Sequence, residues 1–284
     1  MYTHSSARFQ SIRGYELFYQ MWTAPRVDPE RTIIIHHGLG EHSGRYRHVL
    51  DAFLDDQVSF IAYDAYGHGQ SQGRKGDSID VNHFILDLED FLLHIRQEYQ
   101  IKRPILLGHS MGGLIALAFA LRFSNQWALK ALVCSGPALR PVLNRLQSLK
   151  LESGKILDLI APALTLPSGL PAEGLSHDRS EVDAYTNDPL VHDQISARMA
   201  NGLVQKGQSV LKRAHLLKIP FCLMHGGSDP IADPEASAEF AHDCASKDME
   251  LKIYPNLYHE IFNESPPDRN RVLQDLRTWV LNRI

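Results

Sequence analysis

The chain has 284 residues, 44% of them hydrophobic and 22% charged. That content suits one large α/β domain, or a domain with an insertion, and an ordinary water-facing surface. The formal net charge is -4 and lysine and arginine form no long run, which argues against nucleic acid as a partner.

The first residues, MYTHSSARFQ, lack the charged-then-apolar order of a secretory leader. No stretch reaches the roughly 18 to 20 consecutive apolar residues of a membrane span. Cys134, Cys222 and Cys244 are too few, and odd in number, for a disulfide framework, so a reducing, cytoplasmic setting is expected. None of the 15 histidines stands in an H-E-x-x-H or Cys/His ligand spacing. His36 and His37, with His42 and His48, come nearest to a metal-ligand group, and no metal or other cofactor is expected.

In chain order, Arg8 to Tyr19 reads as two short strands around Gly14, an amino-terminal hairpin. Pro25 to Arg31 is a turn. Thr32 to His36, TIIIH, is apolar and β-branched and suits a central buried strand. It runs into the loop H-H-G-L-G-E-H-S-G-R-Y. Arg47 to Asp55 has helical spacing, and Val58 to Tyr63 is a second apolar strand. The Gly-rich loop from Asp64 to Ser71 follows, where Asp64 and His68 read as loop-shaping residues. Phe84, Ile85, Leu88, Phe91, Leu92 and Ile95 mark one face of a helix over Val81 to Tyr99. Ile105 to Leu107 is a short strand, and Leu114 to Phe123 is a helix-forming run. Lys130 to Cys134 is a strand that closes at Ser135-Gly-Pro137.

From Pro137 to about Leu217 the alternation stops and no strand is predicted. Leu139, Val142, Leu143, Leu146 and Leu149 share a helical face. Ile156 to Leu170 is apolar and broken by Pro162 and Pro167. Glu173 to Pro189 reads as a polar loop, and Val191 to Leu217 returns to a helical pattern. Strand signals resume at Phe221 to His225, followed by Gly226-Gly-Ser-Asp229-Pro230. A helix over Pro234 to Ala245, capped by Asp233, comes next. Glu250 to Tyr254 is the last strand, Pro255 to Pro267 a loop containing His259, and Arg269 to Ile284 the closing helix. Apolar strands alternating with helices predict a mostly parallel sheet covered on both faces, with sites at the carboxyl ends of its strands.

Between the strand at Ile105 and the helix at Leu114 stands G-H-S-M-G, a match to G-x-S-x-G in its proper strand–turn–helix setting. The turn strains the serine backbone, and Gly108 and Gly112 leave room for the helix to pack against the strand. Ser110 is the predicted nucleophile. A serine hydroxyl needs a neutral imidazole to take its proton and a carboxylate to orient that imidazole. Asp229 and His259 each follow a strand, and the order Ser, Asp, His is the one this hydrolase arrangement uses. Two backbone N–H groups are expected to receive the developing oxyanion, that of Met111 after the nucleophile and that of Leu39 in the loop after TIIIH. Activity should fall below roughly pH 6.5 as His259 gains a proton.

Six signatures together resemble the monoacylglycerol lipases and related lysophospholipases of the α/β-hydrolase superfamily. They are H-H-G-L-G-E-H-S-G-R-Y (His36 to Tyr46), Y-D-A-Y-G-H-G-Q-S (Tyr63 to Ser71), G-H-S-M-G-G (Gly108 to Gly113), E-V-D-A-Y-T-N-D-P-L (Glu181 to Leu190), H-G-G-S-D (His225 to Asp229) and Y-H-E (Tyr258 to Glu260). The resemblance implies an α/β-hydrolase fold, with a mostly parallel sheet of about eight strands flanked by helices. It implies a core of residues 1–136 and 218–284 and a helical cap over 137–217. It further implies a lipid monoester as substrate, an apolar acyl tunnel, and a polar end for glycerol near Glu41, Arg45 and Tyr185. For Glu41 and Arg45 the plainer reading is a pair that shapes the loop, and for Tyr185 cap packing. Contact of the cap with micelles or membrane surfaces, peripheral to a cytoplasmic location, is a further implication beside a cap packed only on its own domain. Lysophospholipid, short-chain carboxylester and thioester remain alternative substrates, and a ligand-binding protein without turnover is the alternative of another class.

Overall fold

The computed structural model describes residues 1–26, 28–123, 126–142 and 158–284. The amino-terminal hairpin is longer than its sequence pattern indicates: β1 (Thr3–Gln10) and β2 (Glu16–Thr23) pair antiparallel. Four short strands follow whose every residue is buried: β3 (Thr32–His36), β4 (Ser59–Tyr63), β5 (Ile105–His109) and β6 (Ala131–Ser135). Between them run α1 (Arg47–Asp51), α2 (Asn82–Tyr99) and α3 (Met111–Phe123). An inserted segment then carries β7 (Thr165–Pro167), α4 (Arg179–Asn187), β8 (Gln194–Ser196) and α5 (Ala197–Leu211). The chain closes with β9 (Phe221–Gly226), α6 (Pro234–Asp243), β10 (Met249–Tyr254) and α7 (Pro266–Leu281).

Eight strands form one sheet in the order β1-β2-β4-β3-β5-β6-β9-β10. The two pairings made by β2 are antiparallel, and β4 through β10 run parallel. Burial on both faces explains why the central strands are apolar throughout rather than alternating. Ile33 and Ile35 point into the layer of Val49 from α1, Phe53 just after it, and Val272 and Leu276 from α7. Ile34, between them, points into the layer of Phe84, Leu88, Phe91 and Leu114, from α2 and α3. Helix α3 lies inside that second layer, and every residue of it except Arg122 is buried.

The chain steps from β3 to β4 on one side and to β5 on the other. This reversal of strand order opens a crevice at the carboxyl ends of β3 and β5. The loop after β3 and the serine turn after β5 therefore meet there.

The inserted segment departs from its sequence pattern in two places. It holds strands, the antiparallel pair β7–β8 joining Leu166 to Ile195. Each has three residues, too short for a period-two signal. The stretch from Glu173 to Pro189, expected as a loop, contains α4. Its composition is polar because only Val182 is buried. The helix signal is Asp178 followed by Glu181, with the Asp178 side chain accepting from the Ser180 N–H. Leu143, Leu146, Leu149 and Ile156 lie outside the described residues.

Backbone hydrogen bonds seat the inserted segment over the strand ends. His192 N–H donates to the Gly40 carbonyl at 2.9 Å, and Ser196 N–H to that of Gly76 at 2.7 Å. Gly40 has φ +77, and a Cβ there would stand 2.3 Å from the His192 carbonyl oxygen, so this close approach requires glycine.

Candidate active site

Ser110 sits between β5 and α3 with φ 53, one of few non-glycine residues in the left-handed region. Its surroundings hold it there. Ser110 N–H donates to the Ser135 carbonyl on the neighbouring strand at 2.9 Å, and the Ser110 carbonyl accepts from Leu114 and Ala138. The strand and helix close tightly around the turn, since a Cβ on Gly108 would lie 2.4 Å from the Gly112 carbonyl oxygen. The Ser110 side chain thus stands half-exposed at the amino terminus of α3, where peptide dipoles favour negative charge.

The His259 imidazole bridges the loops after β9 and β10. Its Nε2 is 2.8 Å from Ser110 Oγ and its Nδ1 is 2.6 Å from Asp229 Oδ2. A carboxylate only accepts, so Nδ1 carries the proton, and Nε2 of the neutral ring can accept from the Ser110 hydroxyl. The Asp229 Oδ1 accepts from the backbone N–H groups of Ile231 and Ala232 at 2.8 and 3.0 Å. Burial pushes the Asp229 carboxyl up, but the His259 charge and the bonds from His225 and His259 hold it well below the usual carboxylate range. Burial likewise pushes His259 down, but Asp229, with Glu260 and Glu41 behind it, raises it above the ordinary imidazole value.

Of the other expected groups, Leu39, Glu41 and Arg45 lie on the loop after β3. Leu39 lines the space over Ser110. Met111 opens α3 directly after Ser110. Glu41 turns back on its own loop: Oε1 accepts from the Gly38 N–H at 2.6 Å and from the Tyr46 hydroxyl at 2.8 Å. Its Oε2 accepts from Arg45 Nη1 at 2.9 Å. Arg45 also donates from both Nη atoms to Glu260, at 2.6 and 2.9 Å, and its guanidinium stacks 4.6 Å from the ring centre of Tyr185 on α4. One arginine thus ties together the loop after β3, the His259 loop and the inserted segment.

The space above Ser110 is a cavity of about 40 Å³. Its lining includes the apolar side chains of Leu170, Leu175 and Ile231 and the polar ones of Glu41, Tyr185 and Glu260.

Three residues that the sequence pattern does not single out stand beside these groups. The His109 ring packs at a tilt against His259 with ring centres 4.9 Å apart, and burial and the neighbouring His259 push it down to about 4. Glu260 grips Arg45. His225 reaches Asp229 at 2.9 Å. Each lies inside a motif named above, next to or within four residues of a residue already chosen, and that adjacency is the signal for them.

The histidines weighed as metal ligands face separate partners. His36 packs on Tyr63, and burial, with His37 beside it, pushes it down to about 3. His37 Nε2 accepts from the Ala65 N–H, while His42 and His48 pair with Asp188 and Glu181. Among the described residues no group of three or more His, Cys, Asp or Glu is arranged to hold a metal ion. Asp64 joins two loops, accepting from Ser43 N–H and Gln70 N–H at 2.8 Å each. His68 is buried against His37 and His192. Among the described residues no helix is long and apolar enough to cross a membrane.

Comparison with known proteins gives the family of the chain. The family model described as serine aminopeptidase, S33, matches residues 27–266. A monoacylglycerol lipase of Mycolicibacterium smegmatis is 34% identical over 283 residues, with 99% of each chain covered. The crystal structure of Paleococcus ferrophilus monoacylglycerol lipase matches with a TM-score of 0.82 at 28% identity, covering 99% of this chain and 100% of that one. A soluble variant of monoglyceride lipase from Saccharomyces cerevisiae, in complex with a substrate analog, matches with a TM-score of 0.86 at 25% identity, covering 97% and 94%. With this sheet order, this serine turn and these relatives, the chain belongs to the monoacylglycerol lipase-like family of α/β-hydrolases.

Proposed function

We propose that this protein is a cofactor-free serine esterase that hydrolyses lipid monoesters, with monoacylglycerol, cleaved to fatty acid and glycerol, as its substrate. The observation that carries this reading is the imidazole of His259, hydrogen-bonded at 2.8 Å to Ser110 and at 2.6 Å to Asp229. The relatives named as monoacylglycerol lipases support the head group.

Ser110 Oγ attacks the acyl carbonyl as His259 Nε2 takes its proton. Asp229 keeps the ring in the Nδ1–H tautomer and stabilises the imidazolium. The N–H groups of Leu39 and Met111 hold the oxyanion. His259 then gives its proton to the departing glycerol oxygen. Water, activated by the same imidazole, releases the acid from Ser110.

Residues 137–217 act as a cap on a core of residues 1–136 and 218–284. The apolar lining takes the acyl chain, and Glu41, Arg45 and Tyr185 border the glycerol end. The cavity at Ser110 is about 40 Å³, small beside sites that enclose a whole ligand. Leu159, Ile160 and Leu166 are exposed on the cap, at 86%, 75% and 49%, and suit transient contact with a lipid surface. Hydrolysis rates against a panel of acyl lengths and head groups test the assignment. Monoacylglycerol should be preferred over lysophospholipid, short-chain esters and thioesters, and preference for any of these would overturn it.

A further inference from the structure

Asp229 is held by more than His259. The oxygen that accepts from His259, Oδ2, also accepts from Nε2 of a second imidazole, His225, at 2.9 Å. His225 lies near the end of β9 and is fully buried. The same Nε2 is 3.2 Å from the Ala232 carbonyl oxygen. Its Nδ1 is 2.7 Å from Oγ of Ser237, a fully buried residue of α6. Carboxylate and carbonyl oxygens only accept, so Nε2 carries a proton; in the neutral ring Nδ1 then accepts from the Ser237 hydroxyl. One buried line results, from Ser237 through His225, Asp229 and His259 to Ser110. The orientation of Asp229 does not need His225, because two backbone N–H groups already fix Oδ1. What His225 adds falls on the oxygen that faces His259.

We propose that His225 is a positioning residue for ester hydrolysis, sharing Asp229 Oδ2 with His259 and so moderating how firmly that carboxylate holds the proton-accepting imidazole. The inference rests on the reading of Ser110, His259 and Asp229 given above. A second donor on one carboxylate oxygen draws charge from the first. Without it, Oδ2 turns wholly to His259 and favours the imidazolium, which cannot take the Ser110 proton. The other ionisable groups that face His259 are Glu260 on its own loop, Glu41 on the loop after β3 and His109 on the serine turn, with Arg45 paired to both glutamates. A change at His225 leaves all four in place.

The test is the pH dependence of kcat/KM for p-nitrophenyl butyrate in the wild type and in His225→Leu, His225→Gln and Ser237→Ala. His225→Leu should displace the acid limb upward by about half a pH unit, a change of about threefold in neutral His259 along the limb. His225→Gln, whose amide N–H can stand where Nε2–H stood, should return the limb to its wild-type position. Ser237→Ala should give a smaller displacement in the same direction. Should His225→Leu fail to fold, Ser237→Ala and His225→Gln decide the matter. Wild-type limbs in folded His225→Leu and Ser237→Ala would make His225 a packing residue and overturn the proposal. A wild type that hydrolyses no ester would instead overturn the reading of Ser110, and the proposal with it.

Discussion

The loops beneath Ser110 and the inserted segment above it are built differently. Below, each polar group is held by several partners: Asp229 accepts four hydrogen bonds, Glu41 three, and Arg45 grips two carboxylates. Above, Leu170 and Leu175 line the cavity beside Tyr185, and part of the outer surface is exposed leucine and isoleucine. The two halves meet through backbone hydrogen bonds, the Arg45 guanidinium over Tyr185, and side-chain pairs such as His42–Asp188, His48–Glu181 and Asp77–Arg198. A preorganised lower half suits chemistry that tolerates little displacement of its groups. Apolar lining above suits a substrate recognised by area, where small shifts cost little. Substitutions below should therefore alter turnover of every ester alike, and substitutions above should distinguish between esters.

The largest effect belongs to the lower half. Ser110→Ala should lower kcat by about six orders of magnitude, and Asp229→Asn by about four, for any ester, measured by steady-state kinetics. A loss confined to monoacylglycerol would erase the division. Next comes the join. Gly40→Ala would press a Cβ against the His192 carbonyl oxygen in a left-handed backbone. It should lower kcat for long-chain and short-chain esters alike, by about tenfold or more, as the loop bearing Leu39 shifts.

Glu41 and Tyr185 then separate the two halves within the polar lining. Glu41→Gln loosens the Gly38 N–H and Arg45 together, and should reduce kcat for monoacylglycerol and p-nitrophenyl butyrate equally. Tyr185→Phe should raise KM for monoacylglycerol by about fivefold, the scale of one neutral hydrogen bond, and spare p-nitrophenyl butyrate. Equal losses on both substrates in Tyr185→Phe would place that residue with the lower half.

The pH profile sharpens the account of the base. As the proposed base, His259 would work only when neutral, and its surroundings raise its affinity for a proton. Activity is therefore present above its raised pKa and lost as pH falls through it, by about tenfold per unit. The limb should lie above the ordinary imidazole value, higher than the roughly pH 6.5 expected of a free histidine. A limb below that value would contradict the Asp229–His259 pair. The smallest effect is on the outer cap: Leu159→Ser with Ile160→Ser should weaken sedimentation with phospholipid vesicles about tenfold and leave hydrolysis of p-nitrophenyl butyrate unchanged.

Legibility in the sequence follows the same division. The strands β3, β4, β6 and β9 are read within one residue and β5 within two, because burial on both faces makes them apolar runs. The placements of Ser110, Asp229 and His259 at strand ends follow from that alternation alone. The inserted segment is less legible because its elements are short or polar. Strands β7 and β8 find each other only across a long separation, and α4 buries one side chain. Partnerships across the fold are also invisible along the chain. Glu260 and Arg45 meet only because β3 and β10 point their loops to one crevice. His225 shows its bond to Asp229 only once Asp229 is placed.

The proposed nucleophile of this monoacylglycerol hydrolase is Ser110. The most direct measurement is the site and stoichiometry of covalent labelling by a fluorophosphonate, read by intact mass and peptide mapping while turnover of monoacylglycerol is followed. One adduct per chain, on Ser110, with turnover lost in proportion and no adduct in Ser110→Ala, is the predicted result. A folded wild type that takes no label, or that keeps hydrolysing monoacylglycerol with Ser110 fully modified, would contradict it.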